Sequence, residues 1–308
     1  MENLFPIGFF LLIHKIIDTD IKYNSLEYEV INMKEVKKGD IVGRISYGKD
    51  IIFIVKEIIK NRNNDIAILC GLFERIKADS NVSDLEILDV KKIRNEMDNQ
   101  ENKFLSRIEE IKKYDSNLKE IEDEGIRKSE KIVTGKILHL DGDRRYSEKS
   151  NRYYKKLGLK AVVKNIPEYQ QPKVVFRLLN MYKPDILVIT GHDGMIKKGI
   201  KYNDIYNYRN SKYFIETVKE ARVYDNKELV IFAGACQSYF EALIVAGANF
   251  ASSPGRVLID FIDPILVAQK VAITEENKYI TMDDIAYELK EGKNSINGIG
   301  ANGKLRIE

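Results

Sequence analysis

The chain has 308 residues, 44% of them hydrophobic and 31% charged, so it has enough apolar content for one large domain or, as we expect, two smaller ones. Its 50 basic and 47 acidic residues leave a formal charge of only +3, which excludes a general nucleic-acid-binding protein. The two cysteines, Cys70 and Cys236, exclude a disulfide framework and favour a reducing compartment.

The N-terminus carries a short apolar run, "LFPIGFFLLIHKII". It is too short to span a membrane. No basic residue precedes it and no clean small-residue cleavage site follows it, so it is a poor signal peptide. Met33 then opens a stretch that is typical of a chain start. We therefore predict that residues 1–32 are an N-terminal extension outside the main fold.

Residues 33–90 carry short β-strand signals that are rich in Ile and Val. The segments are "DIVGRIS", "IIFIVKEII" and "DIAILCGL", and the turns "YGKD" and "NRNND" separate them. Few helix signals occur here, so the pattern predicts a small SH3-like β-barrel domain of three to five strands. Cys70 lies inside one of these segments and is expected to be a small core residue on a strand.

Residues 91–131 change in character, because charged side chains dominate. Phe104, Ile108 and Ile111 form a thin apolar stripe at helical spacing. The pattern predicts a charged helical linker, either a solvated helix or a semi-disordered segment.

From residue 132 to 308, strand and helix signals alternate. The predicted strands are "KILHLDG", "LKAVVKNI", "DILVITG", "LVIFAGA" and the shorter "NFASSP" and "GRVLID". The predicted helices are "SEKSNRYYKKLG", "PKVVFRLLNMY", "SKYFIETVKEAR" and "SYFEALIVAG". Alternation with continuously apolar strands predicts an α/β domain with a mostly parallel sheet flanked by helices on both faces. Neither a P-loop nor a dinucleotide-binding glycine fingerprint is found in the sequence.

Two of these strands end in residues that suggest nucleophilic catalysis. "ILVITGHDG" leads through a glycine to His192, and "LVIFAGACQS" leads through a glycine to Cys236. The carboxyl ends of parallel strands share one edge of a sheet, where a histidine base could reach a thiol and a following helix N-terminus would stabilise the thiolate. The alternative is a small residue at a strand–helix junction and an ordinary turn histidine.

The order of these residues along the chain narrows the choice of base. No histidine follows Cys236, so folds that place the base after the nucleophile are excluded, and His192 before Cys236 is the caspase-type order. His139 lies in the middle of the strand "ILHLD" and is expected to be a hydrogen-bonded core residue. His14 lies in the N-terminal extension and is discounted.

The longer motifs resemble the YabG family of sporulation-specific cysteine peptidases. The similar stretches are "GDIVGRISYGKDIIFIVKEI", "IAILCGLFERIKADS", "KILHLDGD", "YKPDILVITGHD", "YRNSKYFIETV", "LVIFAGACQSYFEALIVAGANFASSP" and "RVLIDFIDP". The resemblance therefore covers nearly everything except residues 1–32 and the charged linker. It implies a caspase-like sheet with His192 and Cys236 as the catalytic pair.

The resemblance also implies a cellular role. Such an enzyme is a cysteine endopeptidase that processes spore-coat and germination proteins and cuts after Arg. It works in the cytoplasm of the sporulating mother cell, where it can associate with the forming spore coat. No metal, organic cofactor, nucleic acid or membrane partner is expected. The alternative from a different class is a non-catalytic spore-coat scaffold.

The mechanism requires backbone N–H groups to stabilise an oxyanion. Caspase-type enzymes commonly have glycine directly after the histidine, whereas here Asp193 intervenes before Gly194. The backbone N–H of Gly191, Asp193 or Gly194 could therefore be the oxyanion donor that acts together with the N–H of Cys236. Asp193 could instead orient His192, or cap the next turn.

An arginine pocket requires a carboxylate. The positions just before the cysteine are Ala233, Gly234 and Ala235, so the acid must come from elsewhere. "HLDGD" supplies Asp141 and Asp143, and we expect Asp143 to be the pocket acid because it lies beyond the last pleat of the strand. The alternative is an ordinary polar turn, and Asp260 and Asp263 are the next acids to consider.

Overall fold

The structure is a computed structural model that describes residues 35–62, 64–89, 91, 93–95, 98, 99, 102, 106, 132–196, 201–225, 228–289 and 291–307. The predicted extension, residues 1–32, lies outside the described residues, as does most of the predicted linker. Those residues that are described between 91 and 106 are helical, in agreement with the predicted helix. No helix among the described residues is long and apolar enough to cross a membrane.

The first folded unit is a five-stranded antiparallel sheet. Its strands are β1 (Ile41–Arg44), β2 (Phe53–Ile59), β3 (Ile66–Gly71), β4 (Lys77–Asn81) and β5 (Leu85–Ile87), in the order β4-β3-β2-β1-β5. Val42, Phe53 and Leu69 centre its small core. The three predicted strand segments are confirmed, and Cys70 lies on β3, although half-buried rather than in the core. Closure of this sheet into an SH3-like barrel stays a prediction.

The second unit alternates strands and helices, as the sequence predicts. Its elements begin with β6 (Ile132–Val133), β7 (Ile137–Asp141), α1 (Arg144–Lys156), β8 (Ala161–Asn165), α2 (Gln171–Tyr182), β9 (Ile186–Thr190), α3 (Ser211–Tyr224) and β10 (Val230–Ala233). They continue with α4 (Phe240–Ala246), β11 (Phe250–Ser252), α5 (Asp263–Ile273), β12 (Tyr279–Ile280), β13 (Ile296–Gly298), β14 (Ala301–Asn302) and β15 (Arg306–Ile307). Two small pairs, β6 with β15 and β12 with β14, lie outside the main sheet.

The main sheet has the order β13-β11-β10-β9-β7-β8 and is parallel except for β13. Side chains alternate between two apolar clusters, so that Ile137 and Val188 face one side while Leu138 and Leu187 face the other. Helices α1 and α5 cover the first side, and α2, α3 and α4 cover the second. Burial on both faces explains why the strands are continuously apolar.

Local signals fix several of the helix ends. Asp143 caps α1 by accepting hydrogen bonds from two backbone amides, and Pro172 lies in the first turn of α2. Gly247 ends α4 with a φ of 113°, a left-handed conformation that favours glycine.

Two features of the second unit depart from the sequence analysis. "GRVLID" is not a strand, because a turn at Pro254 and Gly255 takes the chain out of the sheet, and only Asp260 makes an isolated bridge. Helix α5 was not predicted. Almost all of its residues are buried, so it lacks the polar face that reveals a surface helix in a sequence.

The β3–β4 hairpin joins the two units. Its tip, residues Leu72–Ile76, leaves the first sheet and contacts the start of α1 and the segment around Asp260. Leu72 and Phe73 pack back into an apolar cluster of the first unit. The tip therefore lies against the carboxyl edge of the parallel sheet.

Candidate active site

The parallel register aligns the carboxyl ends of β7, β9 and β10. Asp141 pairs with Thr190, and Ile189 pairs with Ala233, so the three strands end at nearly the same level. His192 follows β9 and Cys236 follows β10 at the same edge of the sheet, as the sequence predicts. The strand order reverses between β7 and β9, and in such open sheets the crevice at this switch point is the usual ligand site.

The Cys236 thiol is buried, with only 2% of the residue exposed. Its Sγ donates to the carbonyl oxygen of Ile259 at 3.9 Å, and within the described part of the chain it makes no hydrogen bond to His192. Burial raises the pKa of this thiol to about 11. The expectation that a helix N-terminus lowers this pKa is wrong for this structure, because α4 begins only at Phe240 and desolvation dominates.

The His192 ring lies between two carboxylates. Nε2 is 3.6 Å from Oδ2 of Asp143, and Nδ1 is 3.8 Å from Oε1 of Glu168. The same Glu168 oxygen accepts a hydrogen bond of 2.7 Å from the backbone N–H of His192. Burial alone would raise the pKa of Glu168, but its contacts with His192 outweigh it and the net pKa is lowered. The imidazole is thus held by two acids rather than by the thiol.

Glu168 fits between two glycines at the switch point. A Cβ on Gly142 would lie 2.2 Å from its Oε1, and a Cβ on Gly191 would lie 2.5 Å from the same atom. Sequence reasoning missed this residue, which begins a short 3₁₀ turn after Pro167. The signal available was indirect: a glycine follows each of the two strands, β7 and β9, that flank the carboxylate.

Asp193 is buried and serves as a hydrogen-bonding hub. It accepts from the backbone N–H groups of Gly194 and Asn210 and from the hydroxyls of Ser211 and Ser238. Burial raises the pKa of Asp193, and these donors partly offset that rise. Its hydrogen bonds go to these four groups and not to the His192 ring. The N–H of Gly194, one of the expected oxyanion donors, is thus already bound to Asp193.

Asp143, the expected pocket acid, caps a helix and contacts His192, and its role in an arginine pocket stays a prediction. Its Oδ1 accepts from the backbone amides of Arg145 and Tyr146, which caps α1. Burial would raise its pKa, whereas the charge of His192 and the capping bonds lower it, and the net pKa is lowered. The Asp143 carboxylate therefore already contacts both the N-terminus of α1 and the His192 ring.

Asp141 is fully buried and stands at the end of a chain of hydrogen bonds. The Thr190 hydroxyl donates to its Oδ2 at 2.9 Å, so Thr190 accepts from Nε2 of His139, 2.7 Å away. Nδ1 of His139 then accepts from the hydroxyl of Tyr154. His139 is 0% exposed, and burial lowers its pKa to about 3, so its 3.7 Å contact with Asp141 is not an ion pair at neutral pH. His139 is a core residue, as the sequence predicts.

Asp141 forms an ion pair with Arg75, which lies in the hairpin tip of the first unit. Nη1 of Arg75 lies 2.5 Å from Oδ2 of Asp141, and both side chains are 0% exposed. The guanidinium also lies 4.6 Å from the ring centroid of Tyr146. No local sequence pattern indicated that this arginine reaches the second unit.

Asp260 and Asp263, the further acids, are buried before and at the start of α5. Oδ1 of Asp260 accepts from the backbone amide of Ile262, and Oδ2 of Asp263 accepts from that of Asp260. These bonds hold the turn that leads into α5.

Comparisons with known proteins assign the chain to a family. The family model described as YabG peptidase U57 matches residues 37–308. The chain is also 39% identical over 285 residues to the sporulation-specific protease YabG of Bacillus subtilis (strain 168), a match that covers 87% of this chain and 96% of that protein. No solved structure matches. The chain therefore belongs to the YabG family of sporulation proteases, and it is a peptide-bond hydrolase.

The buried His139 predicts a pH dependence of folding. Its pKa is about 3 in the folded chain and near 6.5 when exposed, so the unfolded chain binds the extra proton between these values. The stability that depends on neutral His139 is fully present above pH 6.5 and is lost as the pH falls towards 3. This loss amounts to about 1.4 kcal/mol per pH unit below 6.5.

Urea unfolding at pH 7.5 and pH 5 checks this prediction. The free energy of unfolding should fall less between the two pH values in His139→Gln than in the wild type. Leu179→Ala, a core residue on the other face of the sheet, is the control and should lower stability with the pH effect unchanged. Equal pH effects in wild type and His139→Gln would refute this.

The close approach of Gly191 to Glu168 predicts a second effect. In Gly191→Ala the carboxylate must move away and give up the hydrogen bond from His192, which should cost about 1–3 kcal/mol of unfolding free energy. Gly194→Ala is the control, because its Cβ would meet nothing nearer than 3.6 Å. Denaturant titration should also show that Gly191→Ala costs less when Glu168 is already alanine. Additive effects of the two substitutions would contradict the packing argument.

Proposed function

We propose that this chain is a cysteine endopeptidase of sporulation that cleaves spore-coat and germination-related proteins after Arg. The observation that carries this proposal is the parallel register of β9 and β10, which brings the loops of His192 and Cys236 to one edge of the sheet. Membership of a family of sporulation proteases supports the biological setting. We further propose action in the mother-cell cytoplasm, with association with the forming coat.

In this proposal Cys236 is the nucleophile and His192 the base. His192 accepts the thiol proton, the thiolate attacks the peptide carbonyl, and the imidazolium protonates the leaving amine. Water that is deprotonated by His192 then hydrolyses the acyl-enzyme. Glu168 acts as a positioning residue, because its contacts with both Nδ1 and the backbone N–H of His192 favour one orientation of the ring. The backbone amides of Cys236, Gly191 and Asp193 are the proposed oxyanion donors.

The proposed pocket for the substrate arginine centres on Asp141 rather than Asp143. Asp141 is fully buried, and it already carries a guanidinium at 2.5 Å. A desolvated carboxylate discriminates strongly in favour of a cation. The hydrogen bond from Thr190 holds this carboxylate at the switch point. Asp143, in contrast, uses one oxygen to cap α1.

The proposal includes an architecture. The residues divide into an extension (1–32), an SH3-like barrel (33–90), a charged helical linker (91–131) and a caspase-like peptidase domain (132–308). The doubly wound sheet supports the last of these, and the five antiparallel strands support the second.

The alternative from the sequence, a spore-coat scaffold without catalysis, draws on one observation, although membership of a protease family speaks against it. The Cys236 thiol is buried, is protonated at neutral pH and has no hydrogen bond to His192 in the described part of the chain. In a scaffold this thiol would stay inert. The two functions therefore differ in whether the wild-type chain hydrolyses peptides at all.

The catalytic pair is tested by substitution. Cys236→Ala and His192→Ala should each abolish cleavage of a spore-coat extract without unfolding the protein, because both lie beyond the strand ends. Cys236→Ser should be nearly inactive, since a hydroxyl paired with one histidine lacks the nucleophilicity of a thiolate. Mapping of new N-termini in the extract gives the readout, and Cys70→Ser is the control. Retained cleavage by Cys236→Ala would show that another group is the nucleophile, and no cleavage by the wild type would favour the scaffold.

The pocket acid is tested with two peptides that differ only in Arg or Gln before the cut. Asp141→Asn should lower kcat/KM for the arginine peptide by roughly 10²-fold, because a buried charge pair is lost. Asp143→Asn should keep the preference for Arg over Gln, although its contact with His192 makes a change in kcat expected. If Asp143→Asn loses the preference and Asp141→Asn keeps it, the original expectation from the sequence is right.

A further inference from the structure

The hairpin tip, Leu72–Ile76, is built to present one side chain to the second unit. Phe73 is 8% exposed and packs with Leu88 and Ile93 of its own unit, which anchors the tip from behind. The backbone of the tip is held from the front by α1. Arg145 donates to the carbonyls of Gly71 and Leu72, and the Tyr146 hydroxyl donates to the carbonyl of Glu74. The side chain of Arg75, in the same tip, forms an ion pair with Asp141.

The buried guanidinium of Arg75 is poorly satisfied. It has an ion pair with Asp141 and the face of Tyr146, but Nε, Nη1 and Nη2 have no well-aligned hydrogen-bond partner among the described residues. A permanent structural arginine normally has most of its five donors bonded, because burying them unpaired is costly. An arginine held in this way is replaceable by another guanidinium that reaches Asp141.

The tip lies close to the segment that contacts the thiol. Glu74 forms an isolated antiparallel bridge with Asp260, and the neighbouring residue Ile259 accepts the hydrogen bond from Cys236. The tip thus places an arginine on the proposed pocket acid and a bridged stretch of backbone near the nucleophile, as an arginine-containing substrate would have to do.

We propose that the tip occupies the substrate cleft in cis, with Arg75 bound in the arginine pocket, so that the chain holds its own peptidase unit closed until the tip is withdrawn. This inference rests on the proposed function in taking Asp141 as the group that binds the substrate arginine. The ligand class is a guanidinium on a flexible alkyl chain. The competing explanation is that Arg75 is only a structural link between the two units.

The binding test uses agmatine, a guanidinium on a four-carbon chain that ends in an amine, with the full chain carrying Cys236→Ala so that no cleavage intervenes. Arg75→Ala empties the pocket and should lower Tm, and saturating agmatine should raise it again by at least roughly 3 °C. The Cys236→Ala chain that keeps Arg75 should show no such rise in Tm, because Arg75 already fills the pocket. Arg75→Ala combined with Asp141→Asn should also show none.

Arg222→Ala is the matched control, because it removes a half-buried arginine of the second unit whose hydrogen bonds go to Gly247, Leu229 and Asn249 and not to the tip or Asp141. It should lower Tm without creating a response to agmatine. A response of Arg75→Ala that is absent or no larger than that of Arg222→Ala would overturn the inference.

A kinetic measurement with Cys236 intact gives a second readout. Withdrawal of the internal competitor should lower KM for a peptidyl-arginine amide by roughly tenfold or more in Arg75→Ala, and agmatine should inhibit this variant competitively. An unchanged or raised KM would identify Arg75 as a structural link. If no variant hydrolyses any peptide, the proposed function fails, whereas the agmatine shift still decides whether Asp141 is a guanidinium site held by the tip.

Should Arg75→Ala fail to fold, Phe73→Ala decides the question. This variant keeps Arg75 and Asp141 but loses the anchor of the tip. It should raise the rate at which iodoacetamide alkylates Cys236, and agmatine should compete with Arg75 and raise Tm. Alkylation as slow as in the wild type, with no response to agmatine, would overturn the inference.

Discussion

The buried carboxylate of Asp141 is the constraint on which the arrangement of the two units depends. An ionised carboxylate without solvent requires a cation, and the chain supplies one from a different folded unit through Arg75. Three other features occur together with this ion pair. They are the position of the hairpin tip, the burial of Cys236 and the contacts of α1 with the first unit. One electrostatic requirement at the end of β7 thus couples a small antiparallel sheet to a large parallel one.

The parallel sheet explains why so many polar groups meet at one edge. Its strands are buried on both faces, so polar side chains are tolerated mainly where strands end, and the common register brings these ends together. Glycines after β7 and β9 leave room for the Glu168 carboxylate beside His192. The hydrogen bonds of Asp193 tie the loop after β9 to the turn after Cys236. The edge is therefore a preorganised polar cluster on a rigid apolar base.

Sequence patterns predicted the local features and missed the long-range ones. Apolar runs and capping residues identified the strands and most of the helices, and strand ends pointed to His192 and Cys236. Glu168 and Arg75 could not be found in this way, because their partners are distant along the chain and no periodicity records such a contact. The expected lowering of the Cys236 pKa was wrong for the same reason. That expectation follows from a nearby helix start, whereas the burial of the thiol in the folded chain decides its pKa.

Because Arg75 and Asp141 belong to one polypeptide, their encounter does not depend on how concentrated the protein is. A tethered group competes at an effective concentration that dilution does not change. If the tip closes the cleft as proposed, the cleft would stay closed at any concentration of this chain. A competing guanidinium would displace Arg75 only where its own concentration exceeds that effective concentration, so the competitor and not the amount of protein sets the balance.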